Sequence, residues 1–402
     1  MRNFEKKQPP MHLSRIASRI PDFHVLRIDR LANDLVLKGK DVIKLNLGKS
    51  EVPMQEVVAD EVAKSIYDKE KREIVDAQGL LSLRQAIVEE YERTHAVSIR
   101  PDQVFINNGT SPFFLMLYQL LLDPGDEVLL PLPYYPPYFA NTVIARVTPV
   151  FYSVTSDGRV DLEEFERRFT PGKTRLVVLN SPGNPLGNVV RREEMERILE
   201  IVDGQAVVVS DEIYDGFVYG DDFCPILRVA RGNKDCVVVL NGFSKIHHMY
   251  TRRLGYAIVP QELVEPMLRF QRHNIVCVDP VTQFAGLVSL QNRKQLLEKE
   301  IRKEIASYRE RLALAKTILE GTPLKVLDPS GSFYMPIDVS ACLGGRFKDS
   351  LTLAEALLSE SLVAVTPGED FGRNDLFRVG LTNERTIEGI ERMRDFAKKE
   401  CS

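Results

Sequence analysis

The rest of the chain is organised around residues 237–256, VVVLNGFSKIHHMYTRRLGY. The β-branched run at residues 237–240 predicts a buried strand, and a second strand-like run begins at residue 254. Lys245 lies between them, on an irregular segment just after the end of the first strand. Burial there would lower the pKa of its ammonium group and free a nucleophilic amine for covalent chemistry. A surface-loop lysine at the head of a basic run is the alternative, and this stretch alone does not separate the two.

The composition is that of a soluble globular protein. Of 402 residues, 44% are hydrophobic and 27% are charged. A chain of this length can bury a large core and form two domains. A net charge of −4 indicates neither nucleic acid nor a membrane surface as partner, and no apolar run is long enough to span a bilayer. Five scattered cysteines without a CxxC pair predict neither a disulfide framework nor a zinc site. The basic start lacks an apolar signal core, so we expect a cytoplasmic protein, with a transit peptide as the weaker alternative.

Outside the opening stretch, short apolar strands alternate with helices from about residue 55. The predicted strands lie at residues 104–107, 127–130, 147–152, 175–179, 206–210 and 237–240. Helices are predicted at residues 56–67, 80–94, 111–122, 162–169 and 192–202. Near-continuous apolar strands alternating with helices indicate a parallel or mostly parallel sheet covered on both faces. Ligands bind beyond the carboxyl ends of the strands in such sheets.

The two ends of the chain have a different pattern. Residues 1–28 read as an arm with little periodicity, followed by a helix at 29–38 and a strand at 42–47. A long helical stretch is predicted from residue 281 to about 319, charged enough in its second half to bridge two domains. The remainder predicts an α+β unit, with strands around 332–337, 363–366 and 377–380 and helices at 351–360 and 385–399.

Four further motifs stand at or just after the ends of predicted strands, and a fifth lies inside one. They are Asn107-Asn108-Gly109-Thr110-Ser111, Pro133-Tyr134-Tyr135-Pro136-Pro137-Tyr138, Asn180-Ser181-Pro182-Gly183-Asn184-Pro185, Ser210-Asp211-Glu212-Ile213-Tyr214 and Phe377-Arg378-Val379-Gly380.

Each motif has a chemical and a purely structural interpretation. A glycine-containing turn that opens a helix can bind an anion, although an ordinary capped turn is favoured for Gly109-Thr110 alone. Burial of the Asp211 carboxylate costs several kcal/mol unless the carboxylate is paired. The structural alternative is that Asp211 caps the next helix. Arg378 inside an apolar strand needs an anion, which is either a bidentate carboxylate ligand or a neighbouring acid.

Taken together, these motifs resemble the class I/II pyridoxal-phosphate (PLP) aminotransferases over nearly the whole chain. Phe243-Ser244-Lys245, with Arg253-Leu254-Gly255-Tyr256 behind it, is similar to the Schiff-base motif of that family. The resemblance implies an α/β fold-type-I PLP transferase, with a large domain on a mostly parallel sheet and a smaller discontinuous α+β domain. We expect residues 1–48 to form the arm and first part of the small domain, 49–292 the large PLP-binding domain and 293–402 the C-terminal small domain. A homodimer is expected as well.

The resemblance also implies roles in cofactor binding. Lys245 would form the Schiff base with PLP and move protons as general base and acid. Asp211 would pair with the pyridinium nitrogen, while Tyr214 and Asn184 would hydrogen-bond the phenolic oxygen. Tyr135 would stack on the cofactor ring. The residues that would bind the phosphate are Gly109, Thr110, Ser244 and Arg253.

The expected substrate is a small molecule, an α-amino acid together with a keto acid as its counterpart. Arg378 would bind the α-carboxylate, with Asn184 and Ser50 beside it. No metal site is expected, because His247 and His248 are adjacent and their side chains would point apart.

Several positions depart from the family pattern. Ser50 and Gly242 stand where a glycine and a serine are usual, Ile74 stands where a tyrosine is common, and residues 248–251 replace a small glycine-containing turn. The departures leave two reactions open. One is transamination of an α-amino acid through a quinonoid intermediate. The other is β- or γ-elimination, replacement or cyclisation in specialised amino-acid biosynthesis. A PLP-binding regulator or a catalytically inactive scaffold is a third possibility, and the retained Lys245 with its partners argues against the inactive scaffold.

Overall fold

The computed structural model describes residues 11–220, 223–230 and 236–401. Its helices are α1 His24–Leu37, α2 Glu56–Ser65, α3 Leu81–His95, α4 Ser111–Leu121, α5 Pro136–Ala145, α6 Leu162–Arg168, α7 Arg192–Val202, α8 Ile226–Val229, α9 Gln261–Asn274, α10 Pro280–Gln291, α11 Arg293–Leu296, α12 Arg302–Leu319, α13 Ser350–Ser361 and α14 Thr386–Glu400. Its strands are β1 Ile43–Lys44, β2 Val104–Asn107, β3 Glu127–Leu132, β4 Thr148–Ser153, β5 Thr174–Asn180, β6 Val207–Asp211, β7 Val237–Gly242, β8 Gly255–Ile258, β9 Lys325–Val326, β10 Tyr334–Asp338, β11 Val363–Ala364, β12 Thr366–Pro367 and β13 Leu376–Gly380.

A seven-stranded sheet in the order β2-β8-β7-β6-β5-β3-β4 forms the centre of the larger part of the molecule. Strands β7, β6, β5, β3 and β4 run parallel to one another, whereas β8 runs antiparallel to both β2 and β7. Helices cover both faces, and separate clusters of buried apolar side chains fill the two sides. The predicted α/β class with a mostly parallel sheet is confirmed.

The register of the central strands places polar residues at one edge of the sheet. Asn180 at the end of β5 lies opposite Asp211 at the end of β6, and Asp211 lies opposite Leu240 of β7. The chain leaves β7 at Gly242 and reaches Lys245 three residues later. The strand ends therefore bring the predicted site residues to the edge where parallel sheets bind ligands.

The smaller part of the molecule uses both ends of the chain. Strands β12, β13, β10 and β9 form an antiparallel sheet, and β1 pairs in parallel with β11. A single hydrophobic cluster contains Ile28 and Ile43 from the N-terminal segment together with Val363 and Ile390 from the C-terminal segment. The division of the chain at residues 48 and 292 stays a prediction. Within the described residues, no helix combines the length and apolar character needed to cross a bilayer.

Two helical predictions differ from the structure. Helix α1 begins at His24, inside the segment expected to be an arm, because the distant Asp370 carboxylate accepts the backbone N–H groups of His24 and Val25 at 2.8 and 2.7 Å. Residues 1–10 of the predicted arm lie outside the described residues. The stretch expected as one helix from 281 to 319 is divided after α10, where the Asn292 side chain donates to the Val288 carbonyl at 2.8 Å. It continues through α11 and a π-helical turn, Leu297–Ile301, into α12.

Candidate active site

A cavity of about 450 Å³ opens at the carboxyl edge of the central sheet. Nine of the eleven predicted site residues line it, namely Thr110, Tyr135, Asn184, Asp211, Tyr214, Ser244, Lys245, Arg253 and Arg378. Gly109 and Ser50 are not among the lining residues. Thr110 and Arg378, which are 268 positions apart in sequence and follow or belong to strands of two different sheets, share this pocket.

The Lys245 amine lies inside this cavity. Its Nζ donates to the carbonyl oxygen of Gly48 at 3.2 Å, and the rings of Tyr250, Tyr214 and Phe333 lie 5.0 to 5.4 Å away. Burial lowers the pKa of Lys245 below its usual value, because a charged ammonium is poorly solvated there. A lysine with a lowered pKa can act as a nucleophile and as a proton carrier.

Asp211 lies on the cavity floor, at the end of β6. Its Oδ2 accepts a hydrogen bond of 2.7 Å from the Tyr138 hydroxyl, and its Oδ1 accepts one of 3.3 Å from the backbone of Ile213. Burial raises the pKa of Asp211 to about 6, while the Tyr138 hydrogen bond opposes that rise. A cationic ligand at this carboxylate would favour its ionised form.

The entrance to α4 forms an anion-binding cradle with the loop after Lys245. Arg253 Nη1 donates to Ser244 Oγ at 3.3 Å, and a Cβ added to Gly109 would lie 2.6 Å from Arg253 Nη2. Gly109 has φ +89°, so it supplies the left-handed backbone that the turn requires. In the first turn of α4, Pro112 has no N–H and the Phe113 N–H donates to the Thr110 carbonyl at 3.1 Å. The backbone N–H groups of Thr110 and Ser111 are therefore the ones that can bind a phosphate together with this guanidinium.

Arg378 of β13 is a buried guanidinium without an acidic partner within 4.0 Å among the described residues. Its Nη atoms donate to the carbonyl of Asn46, to Thr366 Oγ1 and to Asn184 Oδ1 at 2.7, 3.0 and 3.1 Å. The rings of Tyr334 and Phe371 lie 4.2 and 5.1 Å from the guanidinium carbon. Its Nε has no hydrogen-bond partner in the described structure. A carboxylate ligand would satisfy this donor and the charge together.

Three aromatic hydroxyl groups surround the space between Lys245 and Arg378. Tyr214 and Tyr334 share a hydrogen bond of 3.2 Å, and burial raises the pKa of Tyr214. Tyr135 is half-buried and contacts Tyr138 edge-on at 5.5 Å between ring centroids, and burial raises its pKa to about 12. The phenols of Tyr214 and Tyr135 are therefore neutral donors near pH 7.

The structure accounts for two of the departures noted in the sequence. A Cβ at Gly242 would lie 2.8 Å from Gly255 Cα, because β7 and β8 approach closely there, so this packing favours glycine over serine. Ser50 directs its hydroxyl to Glu304 at 3.2 Å instead of into the cavity. Ile74 is 79% exposed and contributes nothing to the site of its own chain.

Four cavity residues that contact the predicted site residues were not predicted as site residues from the sequence. They are Tyr138, which bonds Asp211; Tyr334, which faces Tyr214 and Arg378; Tyr250, which lies over the Lys245 amine; and Gly48, whose carbonyl accepts from that amine. Tyr138 could have been found, since it lies three residues after Tyr135 at the start of the same helix. Gly48, Tyr250 and Tyr334 carry no motif of their own that points to the site.

The residues fit PLP as a bound cofactor. A buried amine, a buried carboxylate with a raised pKa and a glycine cradle beside a guanidinium match the aldehyde, the pyridine nitrogen and the phosphate of that molecule. The described residues contain no group of three or more His, Cys, Asp or Glu side chains arranged to hold a metal ion.

Comparisons with known proteins show similarity to one family over most of the chain. Residues 40–393 match the family model described as aminotransferase class I and II. An aspartate aminotransferase of Thermotoga maritima is 32% identical over 389 residues, which cover 96% of this chain and 99% of the relative. A (5-formylfuran-3-yl)methyl phosphate transaminase of Methanocaldococcus jannaschii is 31% identical over 391 residues, covering 96% and 100%. The crystal structure of Thermus thermophilus aspartate aminotransferase with maleate has a TM-score of 0.88 at 28% identity, covering 96% of this chain and 99% of that one.

Fold and site together define a fold-type-I, PLP-dependent transferase. The chain belongs to the class I and II aminotransferases. The family, the aminotransferase activity and the PLP cofactor predicted from the motifs are confirmed. The roles of individual residues stay predictions.

Proposed function

We propose that this cavity is the active site in which the amino group of an α-amino acid is transferred to PLP and then to a keto acid. One observation carries the proposal. Lys245, Asp211 and Arg378 share the cavity, and within the described part of the chain none of the three has an oppositely charged side chain within 4.0 Å. Buried charges without partners are costly, so their retention indicates a ligand that supplies the partners.

When bound, PLP supplies an electron-accepting ring that makes the Cα proton of an attached amino acid acidic. The Lys245 amine would take that proton at Nζ and later give it up again, as general base and then acid. Asp211 would stay ionised and hold the protonated pyridine nitrogen. Arg378 would orient the α-carboxylate through Nη1 and its unpartnered Nε. The surrounding tyrosine rings would exclude water from the reacting atoms.

The remaining predicted residues would bind the cofactor. Thr110, Ser244, Arg253 and the Gly109 turn would bind the phosphate, which the cradle geometry supports. Asn184 and Tyr214 would hydrogen-bond the phenolic oxygen, and Tyr135 would stack on the ring. Ser50, predicted to contact substrate, would act through Glu304 rather than directly, because its hydroxyl is directed there.

The names of the relatives support transamination over the alternatives of elimination, replacement or cyclisation. Two of the proteins compared above are aspartate aminotransferases and the third is a transaminase. Aspartate is therefore the first donor to test in this chain. A non-catalytic PLP-binding regulator is disfavoured by the buried Lys245 amine with its lowered pKa.

We further propose a cytoplasmic homodimer. Exposed apolar side chains recur along residues 66–81, with Ile66, Tyr67, Ile74 and Leu81 between 53% and 86% exposed. Exposed apolar surface of this extent favours a protein partner, and a second copy of the chain is the simplest one. The five cysteines, all within the described residues, form no disulfide, which suits a reducing compartment.

Spectroscopy of the PLP-loaded protein tests the activity. The purified protein is mixed with aspartate and a panel of other amino acids, and absorbance is recorded while mass spectrometry identifies the products. Conversion of the bound cofactor to its pyridoxamine form with a matching keto acid supports transamination. Ammonia with a shortened or cyclised product supports the alternative reaction. Equal cofactor absorbance in wild type and Lys245→Ala would contradict the assignment of Lys245.

Sedimentation velocity tests the dimer. The wild type is expected to sediment as a dimer, and Ile74→Glu is expected to shift the protein toward monomer, because it places a charge in the proposed interface. Glu310→Gln, on an exposed part of α12, serves as the matched control. A monomeric wild type at micromolar concentration would contradict the proposal.

A further inference from the structure

Glu304, on helix α12, joins two segments that border the active site. Its Oε2 accepts a hydrogen bond of 3.2 Å from Ser50 Oγ. Its Oε1 lies 3.0 Å from His248 Nε2, a close approach of two buried polar atoms that have no hydrogen-bond partner in the described structure. Tyr308, one turn further along the helix, donates to the same Oε2. Glu304 and His248 are each 8% exposed, so these contacts are made away from bulk water.

Both segments that meet at Glu304 also contact Lys245. His248 follows it by three residues and donates its backbone N–H to the Lys245 carbonyl at 3.1 Å. On the other side, Gly48 accepts from Lys245 Nζ at 3.2 Å and lies two residues before Ser50. The segment 48–52 is close to the cavity wall, since a Cβ at Gly48 would lie 1.8 Å from the Tyr334 hydroxyl oxygen.

We propose that Glu304 is a positioning residue, which fixes segment 48–52 against the Lys245 amine by holding Ser50 on one side and His248 on the other. The proposal rests on the assignment of Lys245 as the reactive amine. It joins Ser50 and His248, two of the positions where the sequence departs from the family pattern, into one network. The departures are thereby related to each other through a single carboxylate.

The geometry of the segment explains why such a connection affects substrate binding. Segment 48–52 follows Asn46 and Leu47, and the Asn46 carbonyl accepts from Arg378 Nη2 at 2.7 Å. Leu47 and Gly48 line the cavity. A shift of the segment would therefore move an acceptor of the Lys245 amine and an acceptor of the carboxylate-binding arginine together. Glu304 itself lies outside the cavity lining, so its effect is transmitted through Ser50 and His248.

Three variants change the network. Glu304→Gln keeps the shape of the carboxylate but loses its charge toward both sides. Ser50→Ala removes the contact on the segment side and also the acceptor of the Val52 N–H at 3.1 Å, so its exchange is compared at residues 48–51. His248→Asn replaces the imidazole that faces Glu304 by a shorter side chain, and asparagine tolerates the φ of +51° found at this position. Glu310→Gln, exposed on the same helix, is the matched control. Hydrogen exchange of residues 48–52 is measured in the PLP-free protein, and steady-state kinetics are measured in the PLP-loaded protein.

We expect exchange in segment 48–52 to accelerate about tenfold in each of the three variants and to stay unchanged in the control. The KM for the amino donor should rise about tenfold while kcat changes by less than about threefold, because the reacting groups remain in place. The double variant Ser50→Ala/Glu304→Gln should resemble Glu304→Gln alone, because Ser50 acts through that carboxylate.

Two results would overturn the proposal. One is a loss of thermal stability in the three variants with unchanged exchange and unchanged KM, which is the result of a merely structural role. The other is full additivity of the Ser50 and Glu304 variants in KM. Absence of any transaminase activity in the wild type would instead contradict the proposed function, and the exchange measurement on PLP-free protein would still decide the role of Glu304.

Discussion

The hydroxyl of Tyr138 donates a hydrogen bond of 2.7 Å to Asp211 Oδ2, although 73 residues separate the two in the chain. This bond opposes the effect of burial, which raises the pKa of Asp211 to about 6. Asp211 is therefore a carboxylate above about pH 6 and is increasingly protonated below it. An ionised carboxylate is the form that would bind a protonated pyridine, so under the proposed role of Asp211 the Tyr138 hydrogen bond would extend cofactor binding toward lower pH.

Replacing Tyr138 by phenylalanine should weaken PLP binding in a pH-dependent way. Without the hydrogen bond, the pKa of Asp211 rises further, so a larger fraction of the carboxyl group is neutral near pH 6. We expect the affinity for PLP to fall roughly three- to tenfold at about pH 6, with most of the loss recovered at about pH 8.5. Fluorescence titration of PLP-free protein measures this effect. Asp211→Asn should bind weakly at both pH values, and an equal loss at both pH values in Tyr138→Phe would contradict the assignment.

Glu212 should make the folded protein less stable as the pH rises. Its side chain is fully buried, accepts from Ser210 Oγ and Ile226 N at 3.0 and 2.9 Å, and burial raises its pKa to about 8. The folded state therefore binds a proton that the unfolded state releases above about pH 4.5. The stabilising contribution is complete below that pH and is lost as the pH rises through about 8.

Urea unfolding of PLP-free wild type and Glu212→Gln from about pH 5 to about pH 8.5 tests this prediction. The unfolding free energy of the wild type, relative to the variant, should fall by up to about 1.4 kcal/mol per pH unit in this window. The amide of the variant keeps an acceptor for Ser210 and Ile226 but has no proton to lose. Parallel pH profiles for the two proteins would show that Glu212 does not titrate in this range.

The strands of the central sheet were predictable because buried parallel strands are short apolar runs. Strand β2 has the predicted bounds, and the other six strands of the sheet differ by a few residues at their ends. Helix α5 was missed because Pro136 and Pro137 read as a loop, whereas proline is tolerated in the first turn of a helix. Helix α9 was missed as well, and it contains Pro266 in its interior.

The site was predictable only where a motif stands at the end of a strand or places a charge inside an apolar one. Lys245 and Asp211 were found in the first way, and Arg378 of β13 was found in the second. The contacts of Tyr138 with Asp211 and of Ser50 with Glu304 join residues 73 and 254 positions apart, and neither pair leaves a local pattern in the sequence. Asp370 caps α1 by accepting the N–H of Val25, 345 residues away, and this pair likewise leaves no local pattern in the sequence. Such pairings depend on the packing of the whole chain.

Removal of Arg293 should destabilise the fold strongly. Its guanidinium is buried between two acids, with Nε 2.8 Å from Glu90 and Nη2 3.2 Å from Asp215, and Nη1 lies 3.3 Å from His247. Arg293→Met leaves Asp215 without a counter-ion among the described residues and Glu90 with only the more exposed Arg93 as its partner, which should cost roughly 3–5 kcal/mol of unfolding free energy. Arg346→Met, which breaks exposed ion pairs to Glu360 and Glu400, should cost less than about 1 kcal/mol. Urea unfolding measures both variants, and an equal loss of unfolding free energy in Arg293→Met and Arg346→Met would contradict the idea that burial sets the cost.

Gly255 is required by the close approach of β8 to the turn before α4. A Cβ at this position would lie 2.5 Å from the Gly109 carbonyl carbon and 2.7 Å from the Thr110 nitrogen, both of them backbone atoms that cannot rotate away. Gly255→Ala should therefore displace the Gly109-Thr110 turn and lower the unfolding free energy by about 1–3 kcal/mol. Gly345→Ala is the control, because a Cβ there meets nothing within 4 Å.

The displaced turn should affect one part of the cofactor more than the rest. If Gly109 and Thr110 bind the phosphate, Gly255→Ala should lose affinity for PLP by more than about tenfold, the scale of a contact to a charged group. Its affinity for pyridoxal, which lacks the phosphate, should change much less. Titration of both compounds into PLP-free wild type and variant separates the two effects. Equal losses for PLP and pyridoxal would mean that the turn holds the shape of the cavity as a whole and not the phosphate in particular.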